Sequence, residues 1–187
     1  MNKRYPLGHA GKLAISAEPS AATGAALLVL LFGFIGRRVF GLGSREALAG
    51  GLLATAFHFL SELWHQAGHA RAAEQAGYPM TGVHLWGVLG TSLYPPDEPE
   101  LPGEVHITRA MGGPKASAWL VVAGAVAALL TRPLNRVAFM AAAMLAIENL
   151  LIFSAGAFLP VPFMETDGTT LRRQRRAHRK RTIVIQE

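Results

Sequence analysis

Four apolar stretches alternate with polar connections along this 187-residue chain. The first, second and fourth have about the length that an α-helix needs to cross the roughly 30 Å hydrocarbon core of a bilayer. The third stretch in chain order is short for a full crossing. The pattern predicts four membrane-spanning helices, at residues 21–40, 46–73, 116–130 and 137–159. Arg37 and Arg38 follow the first stretch in place of a small-residue cleavage site, so we expect it to remain as a permanent helix.

The connection between the second and third stretches differs from the rest of the chain, because residues 77–115 are rich in Gly, Pro and β-formers. This composition predicts two short strands, at 83–89 and 105–108, joined by the sequence PPDEPELPGE. His84 and His106 are expected on them as half-exposed residues. The predicted fold class is an all-α membrane protein with about four transmembrane helices and a small β-hairpin-like insertion between helices 2 and 3.

The two ends of the chain read as extensions of a membrane domain at residues 21–171. Residues 1–20 form a polar arm in which Pro6, Gly8 and Gly11 discourage regular structure. Residues 172–187 form a basic tail, which contains all but the first residue of the run LRRQRRAHRKR.

Composition supports a membrane location, with 51% hydrophobic and 16% charged residues and a mean hydropathy of +0.28. A net charge of +6 could indicate nucleic acid. Much of the basic surplus, however, lies directly after the apolar body, where it suits anionic lipid. We therefore expect the lipid bilayer and no nucleic acid as a partner. The absence of Cys excludes thiolate ligands and disulfides.

Basic residues also predict an orientation. With four spans, one side would carry thirteen basic residues and the other five, so the positive-inside rule places both termini in the cytoplasm. The first group is Lys3, Arg4, Lys12, Arg71, Arg109, Lys115 and the seven of the tail; the second is Arg37, Arg38, Arg45, Arg132 and Arg136.

The sequence AFHFLSELWHQAGHARAA carries the most informative polar residues. On a helix, His58, Glu62 and His69 lie within about 60° of His65. His65 and His69 are spaced i, i+4, at which two imidazoles can bind one metal ion. Because ionisable groups are costly near a bilayer, this face is a candidate zinc site.

Two further acidic positions bear on this site. Zinc in enzymes commonly has three protein ligands, and Asp167 in FLPVPFMETDG is the third candidate, since Pro160 and Pro162 would break the fourth helix and let the chain fold back. The pair Glu148 and Asn149 interrupts the fourth span. It is either a helix-helix hydrogen bond or a functional group at membrane depth.

At this point the chain resembles the site-2 protease family of intramembrane zinc metalloproteases. The resemblance extends from Glu46 to about Leu171 and rests on HQAGHA, the strand-rich loop, RAMGGPKAS and PVPFMETDG. It implies that His65, His69 and Asp167 bind zinc. It also implies that the strands present an extended transmembrane substrate segment by edge pairing.

Gln66 stands where that family has its catalytic Glu. A Gln amide cannot shuttle a proton, and loss of a general base typically costs about 10² to 10⁴ in rate. Zinc still acidifies water to a pKa of about 7, so residual hydrolysis is physically possible. Either the residue was changed in an active enzyme, or the chain has lost or relocated its base. Glu62 is the first relocation candidate and otherwise an acceptor that fixes an imidazole; Glu148 and Glu165 are further candidates.

Three functions remain open on the sequence. The first is a site-2-protease-like zinc enzyme that cleaves transmembrane peptide segments, inactive or impaired because of Gln66. The second is a non-catalytic pseudoprotease that binds membrane segments. The third, a metal transporter that uses His58, His65, His69 and Glu148, leaves the Pro-x-Pro and Asp-Gly elements unexplained.

Overall fold

The computed structural model describes residues 3–159 and 166–174. Within these residues, four helical segments are long and apolar enough to cross a membrane, and a four-stranded sheet packs beside them. The predicted fold class is therefore confirmed. The helices are α1 (Pro19–Arg38), α2 (Ser44–Gln75), α3 (Gly103–Thr131) and α4 (Arg136–Glu148), and the strands are β1 (Tyr5–Ala10), β2 (Leu13–Ala17), β3 (Gly82–Trp86) and β4 (Leu89–Leu93).

Glycines allow the helices to pack at short distances. A Cβ added at Gly51 of α2 would overlap the carbonyl oxygen of Val29 on α1, at 2.6 Å. A Cβ at Gly68 would likewise overlap the carbonyl oxygen of Gly112 on α3, at 2.5 Å. Such close backbone approach is how helices associate where no hydrophobic effect drives them together. α2 therefore lies between α1 and α3, and its polar face is covered.

The N-terminal segment corrects the prediction of an irregular arm. β1 and β2 form an antiparallel pair, and β2 also pairs in parallel with β3, with Ser16 opposite His84. Gly11 has a φ of +60°, which allows the tight turn between β1 and β2. The segment in which glycines were expected to prevent regular structure is thus a β-hairpin. Its partner strand, β3, lies about 70 residues later in the chain.

The predicted second strand at 105–108 is wrong, because α3 begins at Gly103 and includes His106. Pro102 precedes the helix, and Glu104 supplies an acidic side chain to its first turn, two features that favour a helix start. They outweigh the β-branched residues that suggested a strand. The hairpin instead turns at Gly87, with β4 as its second strand, and the third span is 29 residues long.

His84 lies on a strand, as predicted, but it is buried rather than half-exposed. Its Nδ1 lies 2.9 Å from the Ser16 hydroxyl and its Nε2 3.2 Å from the Glu18 carboxylate. These contacts join β3 to the N-terminal hairpin.

α4 ends as an α-helix at Glu148 and continues as a π-helical segment, Asn149–Ala155. The Asn149 amide donates to the Ser61 hydroxyl of α2 and to the Leu145 carbonyl. Glu148 Oε1 lies 3.2 Å from Nδ1 of His58. The helix-helix hydrogen bond, one of the two roles predicted for Glu148 and Asn149, is thus present. The expected helix break at Pro160 and Pro162 lies outside the described residues.

Candidate metal centre

The polar face of α2 is buried along its C-terminal half. Polar side chains that would be costly to expose to a bilayer are covered by α3, α4 and the β3–β4 hairpin. Each of them makes a hydrogen bond inside the protein. This face consists of His58, Ser61, Glu62, His65, Gln66 and His69.

The two imidazoles at the end of this face are oriented by α3. His65 Nδ1 lies 3.0 Å from the Ser117 hydroxyl, and His69 Nδ1 lies 2.8 Å from the Arg109 carbonyl oxygen. A carbonyl only accepts hydrogen bonds, so Nδ1 of His69 carries the proton and its Nε2 presents a lone pair. The Nε2 atoms of the two rings lie 3.0 Å apart and face the same point.

Asp167 completes the group. Its Oδ2 lies 3.6 Å from Nε2 of His65 and 3.6 Å from Nε2 of His69. Asp167 begins the helical segment 167–174, whose start is capped by reciprocal hydrogen bonds between Thr166 and Thr169. The Thr166 hydroxyl donates to the Leu159 carbonyl, so the returning chain is fastened to the end of the fourth span.

The three ligand atoms fit a tetrahedral zinc ion. Ligand atoms bound about 2.0–2.1 Å from zinc in a tetrahedron lie roughly 3.3–3.4 Å from one another. Here the three separations are 3.0, 3.6 and 3.6 Å. Gly113 of α3 faces the imidazoles, and a Cβ at that position would overlap Nε2 of both His65 and His69. A glycine at this position therefore keeps the space around both nitrogen atoms open.

His65 and Asp167 line a cavity of about 400 Å³, together with Glu62, Gln66, Gly90 and Phe153. Leu89 and Gly90 of β4 form one of its walls. β4 pairs with β3 alone and is an edge of the sheet. The edge of a strand therefore borders the candidate metal centre.

Gln66 is fixed on both sides of its amide. Its Nε2 donates to Glu62 Oε1 at 2.9 Å and to the Gly90 carbonyl at 3.1 Å. Its Oε1 accepts a hydrogen bond of 2.7 Å from the Ser92 hydroxyl. The side chain thus connects α2 to β4.

Glu62 does not fix an imidazole, which corrects one of its two predicted roles. Nδ1 of both ligand histidines already has a partner on α3, and the Glu62 carboxylate is bonded to the Gln66 amide instead. Its other predicted role, as a relocated base, stays a prediction. Glu148 lies with His58 rather than at the cavity, and Glu165 lies outside the described residues.

The Arg109 side chain forms an ion pair with Glu98 and packs on Tyr94. Its guanidinium donates to both carboxylate oxygens of Glu98, at 2.9 and 2.5 Å, and lies 4.0 Å from the centre of the Tyr94 ring. These hydrogen bonds hold the pKa of the Glu98 carboxyl below its ordinary value. The loop before α3 is thereby fastened to the residue whose carbonyl orients His69.

Sequence reasoning missed Ser117, Gly113 and the carbonyl of Arg109. Ser117 is one of several small residues in α3, and a backbone carbonyl carries no residue-type signal. RAMGGPKAS begins at Arg109, contains Gly113 and ends at Ser117, so the motif marked the segment without indicating these roles.

No protein-family profile and no curated protein sequence matches the chain. Among solved structures, the chain is similar to the site-2 protease from Methanocaldococcus jannaschii, with a TM-score of 0.60 and 13% identity over 91% of this chain and 70% of that one. The chain therefore has the fold of a site-2 protease. With its four apolar helical spans, it is a multi-pass integral membrane protein.

Proposed function

We propose that the chain is a site-2-protease-like intramembrane zinc metalloprotease that acts on transmembrane peptide segments and is impaired by Gln66. The observation that carries this proposal is the convergence of His65, His69 and Asp167 within 4.8 Å of one another beside an edge strand. Both imidazoles and the carboxylate are suitable zinc ligands, and two such histidines on one helix are typical of zinc proteases.

When bound, zinc would supply a Lewis acid that activates water and the substrate carbonyl. The chain's own residues would orient the ligands through Ser117 and Arg109 and exclude bulk water through the buried face of α2. Gln66 can hold a water molecule or the Gly90 carbonyl, but it cannot accept a proton. Glu62, bonded to Gln66 in the same cavity, is the carboxylate available to do so.

A substrate would unfold locally and pair along β4. The carbonyl of Val88, in the turn before β4, accepts a hydrogen bond from His58, and the carbonyl of Gly90 on β4 accepts one from Gln66. Docking at Gly90 would therefore require the Gln66 amide to give up this bond. Both termini would lie in the cytoplasm, on the basic-residue bias.

A second candidate is a non-catalytic protein that binds membrane segments. The observation that favours it is the complete set of hydrogen bonds around Gln66, which makes the amide a structural link between α2 and β4.

Cleavage of transmembrane peptides in liposomes distinguishes the two candidates. Gln66→Glu should cleave about 10² to 10⁴ times faster than the unmodified chain, and His65→Ala in that background should abolish cleavage. If Glu62 is the base, the unmodified chain already cleaves, and Glu62→Gln stops it while zinc stays bound. Silence from all of these variants, with zinc present and several substrates tried, would support the binding-only candidate.

A further inference from the structure

A second cavity, of about 430 Å³, lies where α2 and α3 cross and shares no lining residue with the metal cavity. Gly68 and Gly112 form its floor at the closest approach of the two helices. We call it the α2/α3 groove. The proposed protease function does not use it.

The two ends of the groove differ in chemistry. α2 and α3 are antiparallel here, since Trp64 Nε1 donates to the Ala116 carbonyl and Gly68 meets Gly112. Arg71 lies about one turn beyond Gly68, toward the end of α2, and Trp64 lies about one turn in the opposite direction. Arg71 therefore lies at one end of the groove and the indole rings of Trp64 and Trp119 at the other. Lys115, three residues from Gly112 on the indole side, lies between them.

The groove extends outward from the membrane boundary. α1 has 20 residues, about 30 Å, and so matches the thickness of the hydrocarbon core. Its contact with α2 at Gly51 and Val29 places its first residue, Pro19, level with about Ser61. The turns of α2 beyond Ser61 therefore lie at and past this boundary. The backbone of Arg71 lies about 15 Å beyond it, and its long side chain, which leans toward the start of α2, extends back toward the headgroups.

Two cations, Arg71 and Lys115, line the groove. Arg71 and Lys115 are exposed, and in the described part of the chain neither has a carboxylate within ion-pair distance. Lys115 lies about one turn deeper than Gly112, about 6 Å beyond the level of Ser61, and its side chain leans along α3 toward Arg71. The indoles are 49% exposed at Trp64 and 72% exposed at Trp119, so they can contact a ligand.

We propose that the α2/α3 groove binds one anionic glycerophospholipid. Its phosphate lies over the glycine floor between Arg71 and Lys115, and an acyl chain runs past Trp64 and Trp119 toward the hydrocarbon core. Guanidinium and ammonium groups pair with phosphate oxygens, and basic recesses between transmembrane helices suit anionic headgroups. A second copy of the chain fits less well, because a symmetric contact would bring its own unpaired Arg71 and Lys115 against this pair.

Tryptophan fluorescence of the full chain in phosphatidylcholine vesicles tests this proposal, with phosphatidylglycerol as the anionic lipid. We expect phosphatidylglycerol brominated on its acyl chains to quench more strongly than brominated phosphatidylcholine at equal mole fraction. Arg71→Gln with Lys115→Gln should lower this preference roughly 30-fold, which corresponds to about 1 kcal/mol per basic residue. Arg45→Gln with Arg132→Gln, which removes the same charge elsewhere, should leave the preference unchanged.

Ala67→Leu provides an independent variant, because it narrows the groove and keeps both charges. It should reduce quenching by brominated phosphatidylglycerol, and native mass spectrometry should show loss of a retained phospholipid. Equal quenching by the two brominated lipids in the unmodified chain would overturn the proposal. So would an equal loss of preference in the two charge variants, or a dimer that the Ala67→Leu change disrupts.

Discussion

The Gln66 amide donates a 2.9 Å hydrogen bond to the carboxylate of Glu62, one turn earlier on α2. The same nitrogen also donates to the Gly90 carbonyl of β4. A carboxylate at position 66 would have no proton to give to either acceptor when ionised. Replacing Gln66 by Glu therefore removes the donor of two hydrogen bonds.

We predict that Gln66→Glu lowers the stability of the folded chain by about 1–3 kcal/mol, because buried acceptors lose their donor and two carboxylates come into contact. Adding Glu62→Gln returns one donor to the pair, so the double variant should recover part of this loss. Thermal unfolding in detergent measures both effects. A single variant as stable as the unmodified chain would show that the Gln66 contacts contribute little.

Ser117→Ala should weaken zinc binding about 10- to 100-fold, because it removes the hydroxyl that orients His65. Ser61→Ala is a matched control. Both serines are completely buried on neighbouring helices, but Ser61 is bonded to Asn149 and not to an imidazole. Competition with a zinc chelator gives the zinc affinity of each variant. Equal affinities in Ser117→Ala and Ser61→Ala would show that Ser117 does not support the metal centre.

The Glu98–Arg109 pair predicts a dependence of stability on pH. Because the pKa of Glu98 is lowered in the folded chain by the Arg109 hydrogen bonds, its contribution is present above the ordinary pKa of about 4.5 and is lost as pH falls further. Glu98→Gln should therefore cost about 1–2 kcal/mol at pH 7 and almost nothing near pH 3. Exposed Glu100→Gln is the control. A pH-independent difference between Glu98→Gln and the unmodified chain would contradict the ion pair.

Local patterns predicted the parts of this structure that depend on short-range spacing. The i, i+4 spacing of His65 and His69 placed both rings on one face, and the apolar runs gave the number of spans. The hairpin of residues 5–17 was missed because its pairing with β3 joins segments about 70 residues apart. The Ser117 and Arg109 contacts depend on the register of α3 against α2, which glycine-mediated packing sets and periodicity does not show.

Zinc content per mole of purified chain tests the proposed metal centre most directly. We predict about one zinc ion per chain, lost in the His65→Ala, His69→Ala double variant and retained in the His9→Ala, His106→Ala double variant, which removes two imidazoles outside the centre. Circular dichroism should show the same helix content in all three proteins. Unchanged zinc in the first double variant, or none in the unmodified chain after purification in zinc-containing buffer, would contradict the centre formed by His65, His69 and Asp167.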